Sequence, residues 1–290
     1  MKDIDCFFPE EEIRVNYNFD SLDETSDNSY IYHYTSIDAL ISILESRRIY
    51  LMDVDGLNDT KEGRIIYEEA IRIIKKDGNT NDLEKFIQFF NKIRENTYVS
   101  SFSFLGNQLS LWRGYGDVNI GFSYKELKNN RRIIEDANTQ NLDTSGTQLI
   151  PCKYIDNESK SFEANWIYKK FMDLKANQVE IFVQSFLLSI GQLLYSSKHL
   201  GFFEENEIRL SHVLWDKEPF LLGNGRRYIK YLFEPKSIKK IVIGPSLKQD
   251  ENIETINEFI KMNPEFAHLE VYKSTIPFIK QDRPCDCVRK

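Results

Sequence analysis

The chain has 290 residues, of which 41% are hydrophobic, 13% aromatic and 29% charged. That is the composition of a folded globular protein and excludes a disordered chain. A net charge of −7 excludes non-specific nucleic-acid binding through bulk charge, but leaves room for a local basic patch. The four cysteines (Cys6, Cys152, Cys285, Cys287) form no CxxC pair and no zinc spacing, so the sequence predicts a reduced, cytoplasmic protein with no metal. Met1-Lys2-Asp3-Ile4-Asp5 carries acid where a signal peptide needs base, and no long apolar run follows, so no membrane segment is expected.

Residues 1–28 read as an N-terminal arm that packs only in part, with Ile13, Val15, Tyr17 and Phe19 alternating as a short strand. Tyr30 to Ser36 is a second strand feeding a helix whose Ile37, Leu40, Ile41 and Leu44 share one face. Thr35 or Ser36 caps that helix, and Asp38 sits near the positive end of its dipole. His33 is thereby placed at a strand end beside a helix start, a position suited to an anionic ligand. Spacing alone leaves a core histidine as the commoner outcome.

Arg48 to Met52 reads as a strand, followed by a polar loop through Asp59 in which Asn58 or Asp59 caps a helix over 60–76. A second helix covers 81–94, with Leu83, Phe86, Ile87 and Phe90 on one stripe. Tyr98 to Phe104 is a strand, Leu109 to Tyr115 a short helix ending at Gly114 or Gly116, and Asn119 to Tyr124 another strand. Residues 126–147 are polar and aperiodic and predict an exposed insertion, with a strand returning from Leu149 to Ile155. The segment 160–196 is helical; its second half runs from Val179 to Leu194 and is too often interrupted by polar residues to span a membrane. Ile208, Leu210 and His212 alternate as a strand after a turn. Strands at Tyr228–Phe233 and Lys240–Ile243, a helix with Ile253, Ile256, Phe259 and Ile260, a strand at Leu269–Tyr272 and a tail over 280–290 complete the chain. With no repeat and no linker, residues 1–290 read as a single α+β domain.

No GxGxxG, Walker loop, GxSxG or HExxH is present, and the four histidines are isolated. Chemistry is concentrated elsewhere. Glu205 and Glu207 enter a strand two residues apart, so period-two geometry puts both carboxylates on one side, where repulsion calls for a base or for water. Arg209 continues that face and can pair with Glu207. A solvated acidic turn is the plainer reading. Leu111-Trp112-Arg113-Gly114-Tyr115-Gly116 combines a guanidinium with two aromatics, which suits an anionic, ring-bearing ligand or else a core tryptophan beside a surface arginine. Leu57-Asn58-Asp59 is a ligand contact or a helix cap. Arg226, Arg227 and Lys230, with Lys236, Lys239 and Lys240, offer a polyanion contact or a solvated face.

Six short stretches in one order carry a resemblance. They are His33-Tyr34-Thr35-Ser36, Leu57-Asn58-Asp59, Ser101-Phe102-Ser103, Leu111-Trp112-Arg113-Gly114-Tyr115, Glu205-Asn206-Glu207-Ile208-Arg209 and Ile243-Gly244-Pro245. Over residues 30 to 278 the chain resembles an uncharacterised family of bacterial cytosolic domains that is itself similar to the ADP-ribosyltransferase fold, which includes DNA-modifying toxins of toxin–antitoxin pairs. The resemblance implies a split mixed β-sheet with a helical insertion and NAD as substrate. It assigns His33 to a ribose hydroxyl of NAD, with Tyr34, Thr35 and Asn58 beside the nucleotide. Tyr50, Trp112 or Tyr115 would stack on nicotinamide, and Arg113 would clamp the pyrophosphate. Glu207 would be the catalytic glutamate and Glu205 its companion acid. Ser101 and Ser103 match the serine signature of the better-known transferases only loosely. The implied activity is ADP-ribosyl transfer to a protein or nucleic-acid acceptor, as in a toxin or phage-defence effector with an antitoxin or other protein partner. The rival readings are NAD hydrolysis and a non-catalytic nucleotide- or nucleic-acid-binding module.

Overall fold

A computed structural model of the chain describes residues 29–56, 63–76, 80–129, 133–137, 147–156, 160–177, 191, 194–214 and 218–278. The arm over 1–28, the Leu57-Asn58-Asp59 loop, most of the expected second helix of 160–196 and the tail over 280–290 lie outside the described residues. The chain divides into two compact units, one comprising 1–23, 50–101 and 131–231, the other 24–49, 102–130 and 232–290. The fold is α+β with mixed strand pairing.

The elements in chain order begin with β1 (Tyr30–Thr35), α1 (Ile37–Ser46), β2 (Arg48–Asp53), α2 (Arg64–Lys76), α3 (Thr80–Asn96), β3 (Thr97–Ser103), α4 (Leu109–Tyr115), β4 (Val118–Ser123) and α5 (Tyr124–Asn129). They continue with β5 (Ile133–Glu135), β6 (Thr147–Pro151), β7 (Lys153–Ile155), α6 (Lys160–Asn177), β8 (Ser197–His199), β9 (Glu207–Val213), β10 (Phe220–Leu221), β11 (Arg227–Leu232), β12 (Ile238–Ile243), α7 (Gln249–Met262) and β13 (Glu270–Lys273).

In the second unit β4 is the central strand, with every residue buried. It runs antiparallel to β1, with His33 opposite Ile120, and antiparallel to β12, while β12 and β13 are parallel. Ile31, Ile120, Phe122, Ile241 and Leu40 form a core with no solvent exposure. Phe122 packs edge-on against both Phe102 and Phe233. Ser36 is the residue that caps α1: its side chain accepts a hydrogen bond from Ala39 N at 3.2 Å.

In the first unit β9 is buried along its whole length, paired with β3 and antiparallel to β6. The apolar stripe of α2 (Ile66, Ala70, Ile74) meets Phe86, Phe90 and Ile93 of α3 and Ile167 and Phe171 of α6, as the helical spacing requires. The stretch expected as one strand from Leu149 to Ile155 is two. At Cys152 the chain changes partners: Cys152 N donates to Glu207 O at 2.8 Å, then Lys153 N to Ser196 O at 2.7 Å, so β6 pairs with β9 and β7 runs parallel to β8. Within 126–147, Leu127 on α5 and Ile134 on β5 are fully buried.

Gly116 has φ +148°, and a Cβ there would stand 2.1 Å from the Thr35 carbonyl oxygen, which accepts a hydrogen bond from Asp117 N at 3.1 Å. Both the dihedral and the contact demand glycine, because the obstructing atom is backbone. Gly116→Ala is therefore expected to cost more than the roughly 1 kcal/mol of losing the cap in Ser36→Ala. Paired denaturant titrations of the two variants check the order.

Candidate active site

Four charged side chains converge in the first unit. Glu207, the first residue of β9, is 4% exposed; Arg209, two residues on along the same face, is 1% exposed; Lys198 of β8 is 4% exposed. Arg209 grips Glu207 with two nitrogens, Nε to Oε1 at 2.7 Å and Nη2 to Oε2 at 3.1 Å. Lys198 Nζ donates to Glu207 Oε2 at 2.9 Å and also to Glu205 Oε2. The remaining face of Arg209 is used as well, since Nη1 donates to Tyr195 O at 2.5 Å. Two cations thus offset two carboxylates, and Glu207, Arg209 and Lys198 are too buried to stand alone.

The expected pairing of Glu207 with Arg209 is present and arises from strand alternation. The convergence of Glu205 and Glu207 has a different origin from the one the spacing suggests. Glu205 closes a 3₁₀ turn over Leu200–Glu205, and Asn206 takes a left-handed conformation at φ 43° before β9 begins. The turn, not the pleat, aims Glu205 at Lys198. Asparagine tolerates that conformation better than most side chains.

Tyr154 fixes the start of β9, its hydroxyl accepting from Glu207 N at 2.7 Å. Ser101 of β3, exposed to solvent, hydrogen-bonds the Glu207 carboxylate, so the acid lies one side chain below the surface. Burial pushes the Glu207 carboxyl above its ordinary value, against the opposing pull of Lys198 and Ser101. Burial pulls the Lys198 amine down, but the Glu207 and Glu205 carboxylates outweigh it and hold the amine above its ordinary value. The neighbouring Cys152 thiol is pushed well up by burial and by Glu207, which makes it a poor nucleophile.

The other expected residues fall as follows. His33 belongs to the second unit, half-buried on β1 with its ring tilted against Phe102 at 5.3 Å. The Tyr34 hydroxyl donates to Leu105 O at 2.7 Å, and burial pushes it up to about 12. Thr35 abuts Gly116. Trp112 is buried at 2% exposure, its indole donating to Asn107 Oδ1 at 3.1 Å and its ring edge-on to Tyr34 at 4.6 Å. Arg113 is exposed over the Phe278 ring at 4.6 Å. Tyr50 and Tyr115 are the candidates for nicotinamide stacking that present their rings to solvent, at 44% and 38%. Asn58 lies outside the described residues. Lys198 was not singled out by sequence. Its signal is indirect: an acid-rich entry into a fully buried strand needs more than one buried cation, and Lys198 is the nearest lysine upstream. Among the described residues no group of three or more His, Cys, Asp or Glu is placed to hold a metal, and no helix is long and apolar enough to cross a membrane.

The fold and site therefore define an α+β protein with a carboxylate fixed by lysine and arginine. Residues 111–210, from α4 to β9 and including Lys198, Glu205, Glu207 and Arg209, match a family described as a protein of unknown function (DUF2971). No curated protein and no solved structure matches the chain.

Truncating one member of a buried ion cluster strands the others. Arg209→Ala and Lys198→Ala are each expected to cost about 3–5 kcal/mol in denaturant unfolding. Because Lys198 is held above 10.5, its contribution is fully present below pH 10.5 and is lost as pH rises beyond it. The stability gap between wild type and Lys198→Met should narrow above that pH, as measured by thermal melts.

Proposed function

We propose that this protein cleaves the nicotinamide–ribose bond of NAD and transfers ADP-ribose to a macromolecular acceptor. The observation that carries the reading is the meeting of Glu207 and Glu205 at Lys198, with solvent-exposed Ser101 hydrogen-bonded to the Glu207 carboxylate. The transferase resemblance assigns the catalytic glutamate to Glu207, at the start of β9, and its companion acid to Glu205; Lys198 is outside that assignment. In the step proposed, the bond between ribose C1′ and the nicotinamide nitrogen breaks and nicotinamide leaves with the bonding pair. Positive charge builds on the ribose, and a fixed anion stabilises charge where it develops. Lys198 and Arg209 set the position of that anion before substrate arrives. An acceptor oxygen or nitrogen then bonds to C1′, and its proton passes to Glu205, whose side chain keeps 16% exposure.

A second reading is favoured by one observation: both Glu207 oxygens are already engaged by Arg209 and Lys198. A site so saturated can bind a nucleotide without turning it over.

The test is incubation of the full chain with labelled NAD and cell lysate. Transfer predicts labelled adducts that disappear in Glu207→Gln. Free ADP-ribose without adducts selects hydrolysis, and thermal stabilisation by NAD with no product selects the binding module. Absence of all three contradicts the reading. Since burial raises the Glu207 carboxyl above 4.5, the acid limb of kcat/KM should lie above pH 4.5, with activity lost as pH falls through it.

A further inference from the structure

A second surface of the first unit carries a stack of rings, one of which, Tyr50, is also a candidate for nicotinamide stacking. Tyr50 of β2 stacks on Tyr228 of β11 with centroids 4.6 Å apart and planes at 27°. Tyr228 stacks in turn on Phe220 of β10, at 5.3 Å and 28°. Lys230 closes the row, its ammonium 4.1 Å from the centroid of Phe220. Strand alternation produces this face. On β11, Ile229 and Tyr231 are buried, so Tyr228 and Lys230 point the other way. On β2, Leu51 and Asp53 are buried while Tyr50 is 44% exposed. Arg226, just before β11, is half-buried. Arg227 turns inward, where its Nε and backbone N reach Asp53 Oδ2 at 3.3 and 2.9 Å.

Among the side chains of β2, β10 and β11 that are not buried there are three aromatics, three cations (Arg48, Arg227 and Lys230) and no acid, in a protein whose net charge is −7. A row of rings held for packing alone has no need of cations at its edge. Buried rings shed water, yet the outermost one here stays open to it. Rings offer a π-face to any base, and lysine or arginine beside them meets the phosphates between bases.

We infer that the Tyr50–Tyr228–Phe220 face, with Lys230, binds single-stranded nucleic acid by base stacking. The inference does not depend on NAD chemistry. It is read by binding alone.

Fluorescence anisotropy of the full chain with labelled oligothymidylate, oligouridylate and a duplex tests it. Binding of either single strand, at least tenfold tighter than duplex at low salt, is the expected result, and the tighter strand identifies the sugar. Tyr50→Ala should weaken binding about tenfold with an unchanged melting midpoint, because an exposed ring contributes little to the core. Lys230→Glu should weaken binding and flatten its salt dependence. No binding by the wild-type chain, duplex bound as tightly as single strand, or binding indifferent to both substitutions overturns the inference.

Discussion

The Glu207 carboxylate, gripped by Arg209 on its own strand and Lys198 on another, is the constraint on which the first unit depends. Bringing four ionised groups out of water costs several kcal/mol for each, and mutual attraction recovers that only when geometry is close and every lone pair is used. Here the geometry is close. Arg209 is two-pronged, Lys198 bridges two acids, Tyr154 secures the strand entrance, and Ser101 reaches the carboxylate from outside. A well-packed apolar cluster would fill the same volume at no electrostatic cost. The presence of ions instead points to a requirement for a charged carboxylate at a fixed position. Groups with perturbed protonation beside specific charge partners mark functional sites more often than chance.

That constraint also organises the backbone. β9 begins where Glu207 must be held, Cys152 N binds the Glu207 carbonyl just as the chain leaves β6, and β8 delivers Lys198 by pairing with β7. β7 places Tyr154 and Ile155 in the buried core, and its parallel pairing with β8 also brings Lys198 to the acids.

Local patterns were legible in the sequence because they arise within one element. The α1 face and its Ser36 cap, the stripes of α2 and α3, and the Glu207–Arg209 pair follow from periods of 3.6 and 2. What was not legible depends on non-local pairing. Lys198 carries no motif, and only the β7–β8 register makes it the partner of Glu207. Glu205 is aimed by the left-handed Asn206, a conformation no spacing encodes. The change of partner at Cys152 splits what reads as one strand. By sequence Trp112 is a core residue more readily than a ligand platform, and its burial with Asn107 as hydrogen-bond partner places the side chain in the interior. The basic run at Arg226–Lys230 was visible, but the ring stack it borders joins three strands and could not be seen.

The most direct measurement is a structure of the full chain with NAD bound. The account predicts the nicotinamide ribose hydroxyls within hydrogen-bonding distance of Glu207, with Arg209 still clamping the carboxylate and Lys198 shifted toward Glu205. NAD seated elsewhere, with Lys198 still bridging Glu205 and Glu207, would contradict it.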